Sequence, residues 1–217
     1  MVNSKPKITL SAAITLDGKI GQKNKHIVLS SKSDKIRVHK LRAKSDAILV
    51  GKNTVQQDDP LLTVRYAKGN NPIRIILDSH ATIRNDSRII KTCKRVPTII
   101  VVSELASKSN LNRLQKSPLD VIVCGKNQVN LTKLLLILSK RKIKTILLEG
   151  GGTLNRSFLK QNLIDEMIIA LTPYVLGSKN TIDLFEGISF PELKMKLPLK
   201  LKNVQKTGNE IILNYKF

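Results

Sequence analysis

Apolar positions in this chain arrive in short runs separated by charged, periodic stretches. Ile8 to Leu16 is a largely apolar run of strand length, closed by the turn signal Asp17-Gly18. Ser31-x-x-Asp34 reads as a capping box that opens a helix reaching about Lys44. Asp46 to Val50 is a short strand that runs into Gly51 and a short helix through Gln57, stopped by Pro60. Ile73 to Leu77, Thr98 to Val102 and Leu119 to Val123 are β-branched runs of strand length. From Asn130 to Lys140 the period changes: Leu131, Leu134, Leu135 and Leu138 fall at i, i+3, i+4 and i+7, an amphipathic helix with Asn130 as N-cap.

Thr145 to Leu148 is another strand, and Glu149-Gly150-Gly151-Gly152-Thr153 leads from it into a helix carrying Leu154, Phe158 and Leu159. Ile164 to Leu171 is a further strand, and Tyr174 to Pro191 reads as loop-rich. Leu197 to Gln205 and Glu210 to Tyr215 form a closing antiparallel pair across Gly208-Asn209. Strands alternating with helices, then a hairpin, predict an α/β fold with a mainly parallel sheet and antiparallel additions. No repeat or Pro/Ser-rich linker interrupts the pattern, so residues 1–217 read as one domain.

A chain of 217 residues can bury a sizeable core and keep a cleft. Its apolar runs are shorter than the roughly 20 residues that span a bilayer. Met1 to Lys7 is polar, without an apolar signal region. Cys93 and Cys124 make neither a metal knuckle nor a disulfide framework, which suits a reducing cytosol. The expectation is therefore a cytoplasmic protein without a membrane span.

Lys and Arg number 38 against 16 Asp and Glu, a net charge of +22. That invites a nucleic-acid reading. Single-strand binders also need aromatic platforms, however, and only 3% of this chain is aromatic, with no Trp. The basic residues are scattered over Lys19 to Lys25, Lys32 to Lys44, Lys140 to Lys144 and Lys194 to Lys202. A solvated Lys-rich surface accounts for them, and a positive field that draws in small polyanions is the further reading.

Chemistry-bearing residues gather at predicted strand ends. The Gly150-Gly151-Gly152 turn opens a helix, so its backbone N–H groups could hold a phosphate or pyrophosphate, though it also reads as a tight turn. It is neither a dinucleotide G-x-G-x-x-G nor a P-loop. Thr54 and Asp58 share a helix face at i and i+4, suited to a carboxamide or ribose hydroxyls. Arg42 and Arg65 suit a phosphate monoester, although isolated arginines are commonly surface charges. Asp78-Ser79-His80 follows a strand and could bind a ribose, with Arg84 and Arg88 as partners for a 2′-phosphate. His26, His39 and His80 lack metal-site spacing, so no metal is expected, and no covalent nucleophile motif is present. An anion-binding site with few acid–base groups fits hydride transfer, where a cofactor carries the chemistry.

The segments Ser11-Ala12-Ala13-Ile14-Thr15-Leu16-Asp17-Gly18-Lys19-Ile20, Leu41-Arg42-Ala43, Thr54 through Arg65, Leu77-Asp78-Ser79 and Glu149-Gly150-Gly151-Gly152 carry a resemblance in their order and spacing. Across nearly its whole length the chain resembles the diaminopyrimidine reductases of riboflavin biosynthesis, free-standing in archaea and fungi and fused to a deaminase in many bacteria. The resemblance implies a dihydrofolate-reductase-like three-layer fold, a homodimer, and reduction of the ribosyl group of 2,5-diamino-6-ribosylamino-4(3H)-pyrimidinone 5′-phosphate with NADPH, or in some members NADH. It implies cofactor contacts at Ala13, Thr54, Asp58, Ser79, Gly150, Gly151, Gly152, Thr153 and Leu154, and substrate contacts at Lys19, Arg42, Leu62, Arg65 and Glu149. In that reading Glu149 faces the aminopyrimidine, the two arginines take the 5′-phosphate, and Lys19, Asp58 or water handles protons. One departure stands out: many bacterial members have Ser-x-Trp-Ile-Thr where this chain has His26-Ile27-Val28-Leu29-Ser30. Another reductase of the same fold, of the dihydrofolate type, and a basic nucleic-acid-binding domain are the rival readings.

Overall fold

The long apolar runs become strands of one nine-stranded sheet. The computed structural model describes residues 5–177, 179–187 and 198–217. In chain order the elements are β1 (Lys7–Ile14), β2 (Lys19–Gln22), α1 (Lys32–Lys44), β3 (Ala47–Gly51), α2 (Lys52–Asp58), β4 (Ile73–Leu77), α3 (Arg88–Lys91), β5 (Thr98–Val102) and α4 (Lys108–Gln115). Then come β6 (Asp120–Val123), α5 (Leu131–Lys140), β7 (Thr145–Gly150), α6 (Gly152–Lys160), β8 (Glu166–Leu171), β9 (Thr181–Asp183), β10 (Lys200–Thr207) and β11 (Glu210–Lys216). The sheet order is β10-β11-β8-β1-β7-β3-β4-β5-β6. Strands from β8 to β6 are parallel, while β11 and β10 add antiparallel on the β8 side.

This order decides where the helices lie. From β1 through β3, β4 and β5 to β6 the chain steps one way across the sheet; from β6 to β7 and β8 it steps back. Right-handed crossovers put helices on opposite faces for the two directions. Accordingly, Leu131, Leu134, Leu135 and Leu138 of α5 and Phe158 and Leu159 of α6 pack on Leu10, Leu49, Ile75 and Leu148. Val55 of α2, Ile89 and Ile90 of α3 and Leu114 of α4 pack on Ile48, Val50, Ile76 and Ile100 of the other face. Each such buried side chain contributes about 2 kcal/mol. Helix α1 lies over this second face too, because its Arg37 reaches Ser11, which alternates with the inward Leu10 of the first.

Several details differ from the sequence reading. Ser31 caps α1 by accepting from the Asp34 N–H at 3.1 Å, but the Ser31 N–H goes to Glu210 Oε1 at 2.8 Å, so only half of the capping box forms. The passage from Tyr174 to Pro191 contains β9, which pairs antiparallel with β2. The short helices α3 and α4 appear where no element was predicted. Leu197, the expected start of the closing hairpin, lies outside the described residues, as does the predicted loop from residue 188 to 191.

Candidate active site

Strand β7 is inserted last, between β1 and β3, and the loops leaving these three strands and β4 surround a cleft of about 1650 Å³. Open α/β sheets bind ligands at such reversal points, outside the carboxyl ends of the strands. Ala13, Thr54, Asp58, Ser79 and all of Gly150 to Leu154 line this cleft, together with Arg42, Leu62, Arg65 and Glu149. The structure thus brings the expected cofactor and substrate residues to one place, with one exception. Lys19 is absent from the lining; it sits on β2, its ammonium paired with Asp183 of β9.

Two of the helices that start at this cleft share a peculiarity. Helices α1, α3, α4 and α5 are capped by Ser31, Ser87, Ser107 and Asn130, each accepting from a backbone N–H of the first turn. Helices α2 and α6 begin at Gly51 and Gly151, which offer no side-chain cap. The first-turn N–H groups of α6 therefore face the cleft without a side-chain acceptor among the described residues, at the positive end of a helix dipole. Gly151 has φ +96°, and a Cβ there would lie 2.9 Å from Thr54 Oγ1. The two loops are also tied directly, since Thr54 Oγ1 donates to the Gly150 carbonyl at 3.1 Å.

A second group of lining side chains centres on Arg42 and Arg65. Pairing of β3 with β7 shifts register at Leu49/Val50, so Glu149 is an extra residue on β7. Such bulges re-aim side chains near functional sites. Here Arg42 Nε and Nη2 donate to Glu149 Oε1 and Oε2, both at 2.7 Å, and Nη1 donates to the Thr63 carbonyl at 3.0 Å. Burial alone would depress Arg42, but Glu149 outweighs it and holds the guanidinium above its usual range. Arg65 has no carboxylate partner among the described residues. Its Nη1 donates to Thr63 Oγ1 at 2.9 Å and it lies 5.9 Å from the Tyr66 ring centre. Burial and the charge of Arg42 push its pKa the other way, below the usual arginine range. Of the anticipated pair, Arg42 is thus neutralised by Glu149, while Arg65 meets no carboxylate among the described residues.

Leu62, buried at the same wall, holds φ +53° in the loop after Pro60. A branched residue there carries backbone strain that its surroundings must fix. Arg74 and Arg42 hold the flanking Leu61 and Thr63 carbonyls, and His39, which the sequence left without a role, holds the chain just beyond: its Nδ1 accepts from the backbone N–H of Arg65 at 2.7 Å and of Tyr66 at 3.2 Å. Asp78 shapes the neighbouring turn by accepting from the Ile83 N–H at 2.6 Å, which sets Ser79 and His80 at the rim. His26 and Val28 both line the cleft despite the departure in this segment, and His26 Nδ1 is 3.1 Å from Asp58 Oδ1. Arg84 and Arg88 do not line it: Arg84 pairs with Asp86, and the Arg88 N–H donates to Asp59 Oδ1 at 2.7 Å. Arg156, within the Gly151 to Ser157 loop-helix that the resemblance makes a cofactor contact, lines the cleft, as do Lys23, Lys25, Lys35 and Lys52, to which sequence reasoning gave no role because a lone Lys carries no spacing signal. Among the described residues no group of three or more His, Cys, Asp or Glu could hold a metal ion, and no helix is long and apolar enough to cross a membrane.

Comparison with known proteins converges on one family. Residues 6–213 match the model of the RibD C-terminal domain. A protein of Methanothermobacter thermautotrophicus named 2,5-diamino-6-ribosylamino-4(3H)-pyrimidinone 5′-phosphate reductase is 38% identical over 214 residues, covering 97% of this chain and 98% of its own. One of the same name from Aquifex aeolicus is 35% identical over 216 residues, covering 97% and 96%. Dihydrofolate reductase of Enterococcus faecalis, solved with NADP(H), superposes with a TM-score of 0.54 over 97% of this chain and 95% of its own. At 10% identity that likeness concerns the fold alone, which is three-layered and dihydrofolate-reductase-like.

Proposed function

The chain belongs to the RibD C-terminal domain family, and from that premise we propose that it reduces the ribosyl group of 2,5-diamino-6-ribosylamino-4(3H)-pyrimidinone 5′-phosphate to a ribityl chain, in riboflavin biosynthesis, with NADPH as reductant. Relatives bearing that name match along almost the full length of both chains. The observation that carries the reading is that one cleft holds both an uncapped glycine-started helix and the unneutralised Arg65. A dinucleotide diphosphate and a 5′-phosphate need one such group each.

The residues present fit a nicotinamide cofactor. Gly151 leaves the space beside Thr54 that a Cβ would fill, and the α6 N–H groups are oriented for a diphosphate. Gly150 to Leu154, with Ala13, Thr54 and Ser79, would hold it. When bound, it supplies a hydride for C1′ of the ring-opened glycosylamine. Arg65 binds the 5′-phosphate in this reading, and Arg42 acts mainly by holding Glu149 and the Thr63 carbonyl, so that the wall from Leu62 to Arg65 keeps its shape. Asp58, with His26 on its carboxylate, is the group that moves a proton at the cleft rim, whereas Lys19 is held by Asp183. Fixing two anions in one orientation makes hydride transfer effectively intramolecular, which is worth roughly 7–11 kcal/mol in favourable cases.

We also propose that residues 1–217 form a single reductase domain that works as a homodimer. Leu201, Val204 and Ile211 are exposed on β10 and β11, beside a depression lined by Pro173, Val204, Lys206, Asn209, Glu210 and Ile211. An exposed apolar edge of this kind suits a second copy.

The test is turnover of the purified chain. Incubated with the aminopyrimidine phosphate, it should consume NADPH faster than NADH, and ribityl product should appear in equal amount. No oxidation of either nucleotide would overturn the assignment, and turnover of dihydrofolate instead would transfer it to the rival reductase.

A further inference from the structure

Glu149 is the carboxylate that the sequence offers to the amino groups of the pyrimidine, yet both its oxygens are held by Arg42 at 2.7 Å. A second carboxylate lines the same cleft. Asp34, in the first turn of α1, is 0% exposed and shares the lining with Ser11, Val38 and Arg42. Its Oδ1 accepts from Arg37 Nε at 2.8 Å, while Oδ2 has no hydrogen-bond partner among the described residues. The obvious local donor is taken: the Ser31 N–H, which a complete capping box would give to Asp34, goes to Glu210. A buried carboxylate oxygen without a donor is costly and calls for an explanation.

Its position supplies one. Asp34, Val38 and Arg42 follow at four-residue spacing and so form one stripe along α1. Along the helix axis Asp34 and Arg42 are about 12 Å apart. A ribosyl phosphate anchored beside Arg42 and Arg65 would extend its base toward Asp34. We infer that Asp34 Oδ2 accepts a hydrogen bond from the 2-amino group of the pyrimidinone, and that Asp34 selects this ring over the otherwise identical ring with a carbonyl at position 2. The inference rests on the proposed function and adds to it the group that reads the base. A carboxylate only accepts, so it matches the 2-amino and N3–H donors. Against a 2-carbonyl it would set acceptor against acceptor in a buried site, the arrangement by which sites reject analogues most strongly.

The experiment compares kcat/KM for the 2-amino substrate and its 2-carbonyl counterpart, in the wild-type chain and in Asp34→Asn. The wild-type chain should favour the 2-amino ring. The amide of Asp34→Asn can donate to a 2-carbonyl and accept from N3–H, so the ratio should fall by at least about tenfold, with NADPH affinity retained. A role confined to capping α1 or pairing Arg37 would lower both rates and leave their ratio unchanged, which would overturn the inference. Should Asp34→Asn not fold, titration of the wild-type chain with the two ribityl products decides the matter, and equal affinities would refute it. A wild-type chain inactive on both rings would overturn the functional reading, and this inference with it; activity without discrimination would remove Asp34 alone.

Discussion

His39 shows how one buried side chain ties pH to the shape of the site. It packs edge-on against Tyr66 with ring centres 4.7 Å apart, and its Nδ1 must stay unprotonated to accept from the Arg65 and Tyr66 N–H groups. Burial, aided by Arg42 and Arg65, lowers its pKa to about 4 from an ordinary 6.5. Between those values the unfolded chain binds a proton that the folded chain refuses, so stability falls as pH drops from 6.5 toward 4, by up to about 3 kcal/mol. Urea unfolding midpoints across that range should show this slope in the wild-type chain and a flatter one in His39→Asn, whose amide oxygen can take over the two N–H bonds. Equal slopes would dissociate His39 from the effect. Arg65→Ala should raise KM for the phosphorylated substrate about 10- to 100-fold, the worth of a charge-assisted hydrogen bond, and change kcat little. An unchanged KM would take Arg65 out of the phosphate site. Arg65 was legible in the sequence because it ends a continuous motif. The engagement of Arg42 by Glu149 was not, because it depends on a bulge and on a contact between positions 107 residues apart.

The start of α6 and the shell around Arg74 carry the element-scale consequences. Gly151→Asp places a side chain where φ is +96° and a carboxylate where the helix dipole favours an anionic ligand. NADPH affinity, read by fluorescence titration, should fall at least about a hundredfold on combined steric and charge grounds; retention would move the cofactor elsewhere. Arg74 of β4 is fully buried and bonded to Thr92, Thr98 and the carbonyls of Leu61, Ile89 and Val96, with burial lowering its pKa to about 10. It therefore fastens α3, β5 and the loop before Leu62 to the sheet. Arg74→Met leaves those carbonyls without a donor, and denaturant unfolding should show a loss of about 3 kcal/mol. The sequence disclosed elements wherever one strong local pattern defined them: β4 and β5 match the predicted bounds residue for residue, and α5 follows its leucine period. It concealed β2 and β9, whose Lys19–Gln22 and Thr181–Asp183 segments are short, largely polar and paired with each other apart from the nine-stranded sheet. Helices α3 and α4 were hidden for a similar reason, since their buried Ile89, Ile90 and Leu114 are too few to make a period.

Across the whole molecule, the net charge of +22 can be set against the charge of the cleft itself. The lining carries Lys23, Lys25, Lys35, Arg42, Lys52, Arg65 and Arg156, opposed by Asp34, Asp58, Asp78, Glu149 and Glu186, so most of the excess lies elsewhere on the surface. Exposed charges beyond a Debye length, about 8 Å at physiological salt, act on a bound ligand only weakly. They contribute to long-range attraction of polyanions instead, which is a term in association rate. The expected signature is a kcat/KM that declines as salt rises from low ionic strength to about 0.15 M, by less than about tenfold, with kcat nearly constant. A face built to neutralise six to ten nucleic-acid phosphates would lose about 10³- to 10⁵-fold affinity over a comparable range. Steady-state kinetics in a potassium chloride series separates the two. A salt-independent kcat/KM would confine the recognition of both anions to contacts inside the cleft, and a loss of several orders of magnitude would mean that the dispersed lysines bind the ligand directly.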